Sequence, residues 1–451
     1  MKNGFKRAVL IALAFILILG TTVCSEAKSY GRYIKVGLFF EDTAKDSVTL
    51  SAASGLFSAQ MNDKDGYSVV ASTGLKELVL TPAGPFDGIL FVSCDDESIV
   101  YVDGKPYRDG IYVETVNGKL NVINYVEIEN YIKGVVGNEM NSYYPDEALK
   151  AQAVTARSYA YANSGRHGSF DLCTTGNCQV YKGYSSETQK VNAACEATEG
   201  QVICYNGKVV QGYYYGNSGG YTLSAKEAWG NEIGYLQAVK DDYSPEYTWS
   251  TSMSFDDLRL KMIDLGYDDP GKIKRVYVSE RTPNGTAYQF IIEGEFLTHT
   301  ATKSYMRTCF GGSVLKSQRF SAGPSPDPEI IVNDYDNSVS VLGANECVNY
   351  GANTLFAIGA DGQVCENQLS QTYIFDGTTT SAIELSSGTE YIFTDQVADS
   401  GVIYFSGLGN GHGVGMSQEG ARAMGRLGFN YYDILNYYYT DITIENINER
   451  Q

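Results

Sequence analysis

Apolar and polar residues alternate with a period of two along much of the chain, the pattern of strands that bury one face. The alternating runs are joined by Asn-Gly or Asp-Gly pairs, as at Asp103-Gly104, Asn117-Gly118, Asn206-Gly207, Asn284-Gly285, Asp361-Gly362 and Asp376-Gly377. Such pairs favour tight hairpins because both central residues of the turn take positive φ. The clearest predicted hairpin runs from Ile111 to Val116, turns at Asn117-Gly118 and returns from Lys119 to Asn124. Much of the chain is therefore expected to be antiparallel sheet. Helices break the pattern at three places. Pro145 suits a first helical position, Asp146 and Glu147 put acids in a first turn, and Ala148 to Ala162 continues without Gly or Pro. Leu149, Ala153, Ala156 and Ala160 share one face of that helix, and their small size implies close packing against another element. Ser417 can cap a second helix ending at Gly428, and Tyr431 to Tyr439 suggests a third. From Gly323-Pro-Ser-Pro-Asp-Pro328 to about Ser400 the chain turns polar and short-stranded, which reads as a β-rich insertion. No repeat of about 20–50 residues is apparent, which argues against a solenoid or propeller.

Charge removes whole classes of partner. The 451 residues carry 34 Lys+Arg against 53 Asp+Glu, a net charge of −19. Nucleic acid is bound largely through clustered Lys and Arg, and this chain has no basic block, so no nucleic-acid partner is expected. With 43% apolar residues the chain can bury a sizeable core. At the N-terminus Lys2, Lys6 and Arg7 precede an unbroken apolar run from Ala8 to Leu19, and Ser25-Glu26-Ala27 offers small residues where a signal peptidase reads. Residues 1–27 are read as a secretory signal, with an uncleaved anchor as the alternative. Cys24 follows Thr22-Val23 rather than a small residue, so lipid attachment is not expected. The body is expected outside the cytoplasm, free or tethered at its N-terminus, touching membrane only through that segment if it stays uncleaved. Beyond Cys24 the cysteines are Cys94, Cys173, Cys178, Cys195, Cys204, Cys309, Cys347 and Cys365. Disulfides are permitted there, with Cys195–Cys204 and Cys347–Cys365 the first pairings to expect.

Three constellations carry chemistry. Tyr131-Ile-Lys-Gly-Val-Val-Gly-Asn-Glu139-Met140 sets one carboxylate in largely apolar surroundings, directly ahead of the predicted helix at Pro145. A carboxyl group shielded from water and cations keeps its proton to higher pH, so Glu139 is the general-acid candidate. The plainer reading makes it a loop acid at an open helix end. His167-x5-Cys173-x4-Cys178 has the ligand types of a zinc site, whose fourth position would fall to water, to Asp171 or to a distant group. A Cys173–Cys178 disulfide is the competing reading. Gly407 to Gln418 is Gly-rich around His412 but lacks the strand, helix and acid of a dinucleotide loop. Its glycines are expected to let backbone approach a substrate. The 36 tyrosines suit stacking on sugars, although Tyr213 to Tyr215 and Tyr437 to Tyr439 fit a core equally well.

Longer blocks point to a family. Val126-Glu-Ile-Glu-Asn-Tyr-Ile-Lys-Gly-Val-Val-Gly-Asn-Glu-Met140 and Pro145-Asp-Glu-Ala-Leu-Lys-Ala-Gln-Ala-Val-Thr-Ala-Arg-Ser-Tyr159 strongly resemble the signature of the stage II sporulation protein D / LytB family. Cys178 to Gly183, Ser218-Gly-Gly220, Trp229-Gly230, Tyr235-Leu236, Leu315 to Phe320 and Gly411 to Gln418 follow in family order. The resemblance covers roughly residues 33–322 and 401–446. It implies an α+β fold of antiparallel sheets with a few helices around a cleft, in one domain whose parts, 28–324 and 401–451, flank the insertion 325–400. It also implies a peptidoglycan lytic transglycosylase that cuts peptide-stripped glycan strands, with Glu139 as acid and base. One carboxylate suffices there, because the muramic 6-hydroxyl supplies its own nucleophile. Gln152, Arg157, Tyr181, Ser218 and Gln418 match motif positions as candidate substrate-binding residues, and the resemblance puts His412 beside the cleft. Gln152 and Tyr159 share a helix face, while Arg157 has the alternative of pairing with a buried acid. In zinc-bearing relatives a histidine precedes the second cysteine, where this chain has Asn177. The LytB side of the family implies the other function, a non-catalytic activator of N-acetylmuramoyl-L-alanine amidase. A structural reading makes 325–400 a docking domain for sporulation or division proteins.

Overall fold

A computed structural model describes residues 33–450 except 63–65, 85–86, 343–346, 352–353, 359–363, 369–372, 376–379 and 383–385, with backbone alone between 333 and 390. The predicted signal, Cys24, the Asp361-Gly362 and Asp376-Gly377 turns, and the Cys347 and Cys365 side chains lie outside what is described. Two compact units form. One is built from the chain up to Tyr214 together with Ala421 onward, the other from Tyr215–Gly420. These limits differ from those expected at 324 and 400.

The first unit is a sheet structure with helices added after it. Its strands are β1 (Tyr33–Phe39), β2 (Val48–Ser51), β3 (Leu56–Met61), β4 (Tyr67–Ser72), β5 (Glu77–Leu80), β6 (Ile89–Ser93), β7 (Ile99–Val102), β8 (Lys105–Arg108), β9 (Gly110–Val116), β10 (Lys119–Glu127), β11 (Leu172–Cys173), β12 (Gln201–Tyr205) and β13 (Lys208–Val209). A seven-stranded sheet runs β11-β1-β10-β9-β6-β3-β4, antiparallel except for the β1–β11 pair, and a four-stranded sheet runs β5-β2-β7-β8. The expected hairpins are present. Asp103-Gly104 joins β7 to β8, Asn117-Gly118 joins β9 to β10 and Asn206-Gly207 joins β12 to β13, each with positive φ at both residues. From Leu120 to Val126 every residue of β10 is buried, so this strand is covered on both faces.

Helix α1 (Ile128–Glu139) follows β10 without a loop, and α2 (Asp146–Ala162) and α3 (Gln189–Glu196) come later. Pro145 stands at the α2 cap, one position earlier than expected. Leu149, Ala153, Ala156 and Ala160 are fully buried, as their size implied, but so are Ala148, Ala151 and Val154. The helix is enclosed all round, which explains why alanine dominates it. The predicted third helix spans Tyr431–Tyr438 in this unit.

In the second unit, strands Thr248–Ser254, Val402–Leu408 and Arg319–Gly323 form one sheet, and Arg275–Arg281, Ala287–Glu293 and Thr298–Thr302 another. Asn284-Gly285 lies between paired strands there, within a longer turn. Phe290, Phe310, Phe320 and Phe405 meet at centroid distances of 5.0 to 6.4 Å and fill the core. The predicted β-rich stretch does form strands, including the sheet Cys347–Gly351, Ile330–Leu342 and Ser386–Phe393. Among the described residues no helix is long and apolar enough to cross a membrane.

Candidate active site

Glu139, expected in a loop ahead of a helix, is the last residue of one. Met140 leaves the helix in an extended conformation, and its N–H still donates to the Val136 carbonyl. The Met140 side chain is buried, which fixes where α1 ends. Gly134 and Gly137 weaken α1 by propensity, and packing explains them. A Cβ at Gly134 would strike the Tyr181 ring, and one at Gly137 would strike the Ser186 backbone. Two missing side chains therefore let the 181–186 segment lie directly on α1.

That contact brings hydrogen-bond donors to Glu139. The Val180 N–H reaches Oε1 at 3.4 Å, and the Tyr214 hydroxyl donates to the same oxygen at 3.3 Å. Gln179 Nε2 donates to the Tyr214 oxygen at 3.3 Å, and the Tyr131 hydroxyl donates to Gln179 Oε1 at 3.2 Å. Burial, reinforced by the Glu139 charge, pushes the Tyr214 phenol well above its ordinary range, so it stays a neutral donor. From sequence, Tyr214 is only one of the Tyr213–Tyr215 run, for sugar stacking or the core, and the Val180 amide is not singled out. The motif Cys178 to Gly183 contains Gln179 and Val180, but a backbone donor has no residue signature.

His167, Cys173 and Cys178 do come together, with their ligand atoms all within 4.8 Å of one another. His167 Nε2 lies 3.2 Å from Cys178 Sγ, and both cysteines are thiols rather than a disulfide. Burial pushes Cys178 up to about 11. The same burial acts on Cys173, but hydrogen bonds from Thr175 and Cys178 outweigh it and hold that thiol below its usual value. Asp171 does not join the cluster, because its carboxylate accepts from Lys35 N at 2.9 Å and Ser164 Oγ at 2.6 Å. The cluster adjoins the Glu139 network through the chain itself, since Val180 lies two residues beyond Cys178. The expected Cys195–Cys204 bridge is not formed. Cys195 is a buried thiol, pushed up to about 12 by desolvation.

Several candidate substrate ligands are instead internal supports. Arg157 is 0% exposed and grips Glu129 with two hydrogen bonds of 2.8 and 2.6 Å, the alternative that its sequence left open. Gln152 is also 0% exposed. The Tyr181 hydroxyl donates to Asn124 Oδ1 at 2.8 Å inside the core. A substrate cannot reach these side chains without opening the fold. Tyr159, on the Gln152 face, is largely buried and directs its hydroxyl to the Asn177 carbonyl at 3.5 Å.

Ser218, His412 and Gln418 belong to the second unit. Ser218 Oγ accepts from Gly220 N at 3.1 Å. His412 Nδ1 accepts from Val414 N at 3.1 Å, which puts the neutral ring's proton on Nε2. The ring packs against Tyr215 and Trp229 at 5.3 and 6.2 Å. Gln418 begins the helix Gln418–Arg426, where Ser417 Oγ accepts from Gly420 N as its predicted cap. The glycines expected to admit substrate are occupied by the protein itself. Gly407 lies against the Trp249 ring, and Gly409 against the Ser218-Gly219 backbone.

Residues 116–205 match the family model described as Stage II sporulation protein. The amidase enhancer of Bacillus subtilis (strain 168) is 28% identical over 316 residues, 69% of this chain and 40% of that protein. Stage II sporulation protein D of Bacillus amyloliquefaciens is 31% identical over 39% of this chain and 56% of its own length. An uncharacterized protein of Brachyspira hyodysenteriae is 26% identical over 80% of this chain and 77% of its own length. The match therefore spans less than two thirds of the first and second of these proteins. The family model lies across α1, α2 and the His167–Cys178 segment, and together with these relatives it supports assignment to the stage II sporulation protein D / LytB family.

Proposed function

We propose that the chain acts on the bacterial cell wall outside the cytoplasm, as a lytic transglycosylase of peptide-stripped glycan strands. The observation that supports this most is Glu139 at the end of α1, with one carboxylate oxygen held by a neutral phenol and a backbone N–H. The C-terminal end of a helix is the negative pole of its dipole, which favours the acid form of the first step, while the two donors on Oε1 favour the carboxylate that acts as base in the second. A carboxyl group so placed can hand a proton to the glycosidic oxygen between MurNAc and GlcNAc. As the C1–O bond breaks, GlcNAc leaves with its 4-hydroxyl restored. The carboxylate then takes the proton of the muramic 6-hydroxyl while that oxygen bonds to C1, closing a 1,6-anhydro ring and returning Glu139 to its starting form. Tyr214 and Val180 orient the carboxylate through both steps. His412, in the second unit, has its proton on Nε2 and is proposed as a separate donor to glycan, whereas Ser218 and Gln418 are as enclosed as Tyr181 and are given no sugar contact.

Zinc fits the His167, Cys173 and Cys178 donors, since thiolate and imidazole are its preferred ligands and the three atoms already converge. Bound there, zinc would supply a structural crosslink that keeps the Val180 amide against Glu139.

The match to an amidase enhancer favours a second reading, in which the chain binds glycan or an amidase and activates peptide removal. The two separate in one experiment. Alone on peptide-free glycan, the transglycosylase releases fragments and the activator does not. On peptide-bearing glycan with an N-acetylmuramoyl-L-alanine amidase added, only the activator raises the rate of peptide release.

A further inference from the structure

A cavity of about 280 Å3 opens in the first unit where the end of β1, the tip of the β9–β10 hairpin and the 167–170 turn meet. That size is close to the lower end of ordinary small-molecule sites, about 300 Å3. One wall is aromatic. The His167 ring stacks on Phe170 at 4.8 Å and 16°, and Phe40 tilts onto Phe170 at 4.6 Å. Phe170 is braced from behind by the bare backbone of Gly37, where a Cβ would lie 2.7 Å from the ring. The facing wall comes from the hairpin tip through Asn117, Lys119 and the buried Asn121.

The charges on this cavity are unequal. Lys119 is answered by Asp46 at 3.7 Å. Glu41 is not answered, for no hydrogen bond or ion pair meets its carboxylate among the described residues. Its backbone is held at φ 48°, a conformation that a non-glycine residue keeps only where its surroundings impose it. Thr43 imposes it here, accepting from Phe40 N at 3.0 Å and donating to Phe40 O at 2.8 Å.

We propose that this cavity binds a small ligand carrying a primary ammonium group on an aliphatic chain. The ammonium meets Glu41 at the rim, and the aliphatic chain lies along the apolar wall of Phe40 and Phe170. The net charge of −19 favours cations over anions at long range. A carboxylate or phosphate would be repelled by Glu41 at the rim, and Lys119, the one Lys or Arg of this lining, is shared with Asp46. The site stands independently of any role for Glu139.

Saturation-transfer NMR on the full chain tests this with Nα-acetyl-lysine amide against Nα,Nε-diacetyl-lysine amide, in which an Nε-acetyl group removes the side-chain charge. The charged probe is expected to bind about fivefold tighter, the effect of one solvent-accessible ion pair. Glu41→Gln should erase that preference at an unchanged unfolding temperature, and Phe40→Ala should weaken both probes about threefold. Equal binding of the two probes, binding of neither, or a preference that survives Glu41→Gln overturns the proposal. Glu41 is exposed on the cavity rim, so its variant reports on the ligand even where Phe40→Ala disturbs the fold.

Discussion

Replacing Glu129 by Gln should destabilise the first unit severely, without touching any residue proposed to meet substrate. The Arg157 guanidinium is 0% exposed and the Glu129 side chain 16% exposed. Arg157 also donates to the Gln201 carbonyl at 3.0 Å, and Glu129 accepts from Gly200 N at 3.1 Å, so the pair ties α1 and α2 to the start of β12. Removing one partner of a buried ion pair strands the other charge, at a cost of about 3–5 kcal/mol. A unit of roughly 200 residues loses about 2–4 °C of melting temperature per kcal/mol, so the drop should be about 6–20 °C. Glu129→Leu combined with Arg157→Met should lose less than the sum of the single variants, because no buried charge is then left unpaired. Thermal unfolding followed by circular dichroism reads the wild type, Glu129→Gln, the two single variants of the pair and their double, and glycan cleavage near room temperature reads their activity. If Arg157→Met kept the wild-type melting temperature while KM rose, Arg157 would be a substrate ligand and the packing role given to it here would be wrong.

Burial, then the charges of Asp109, Glu129 and Glu199, push the Glu127 carboxyl up to about 7. A carboxyl whose folded value is raised stabilises the fold below its unfolded value and loses that contribution as pH rises. Melting temperature should therefore fall between about pH 4.5 and 7, and Glu127→Gln should flatten that part of the curve and be the more stable protein at about pH 8. An identical pH profile in the variant would contradict this. Elemental analysis of protein purified under reducing conditions should give about one zinc per chain, falling in Cys173→Ser; absence of stoichiometric zinc in both would remove the metal. Gly137→Ala should push the Ser186 segment off α1 and cost about 1–3 kcal/mol as an overpacked contact, so an unchanged melting temperature would refute that packing.

The local chemistry of the chain announced its hairpins and α2. Asn117-Gly118 and its counterparts turn the chain because they tolerate positive φ, and Pro145 with the alanine run sets a helix whatever packs around it. Helix α1 was hidden for the opposite reason. Gly134 and Gly137 argue against a helix by propensity, and only the 181–186 segment lying on them makes glycine the residue that fits. The His167, Cys173 and Cys178 spacing was legible because ligand chemistry limits the residue types. The fate of Arg157, Gln152 and Tyr181 was not, since a polar residue in a motif looks the same whether it faces substrate or an internal partner. Tyr214 lies far from Glu139 in sequence, and no period or motif connects them.

Mass spectrometry of the products of peptide-free glycan, with the wild-type protein and with Glu139→Gln, bears most directly on the proposed chemistry. Anhydro-muramic ends from the wild type, lost in the variant, are the predicted result. Cleavage that persists in Glu139→Gln, or fragments ending in ordinary reducing sugars, would contradict Glu139 as the single acid and base of an intramolecular ring closure.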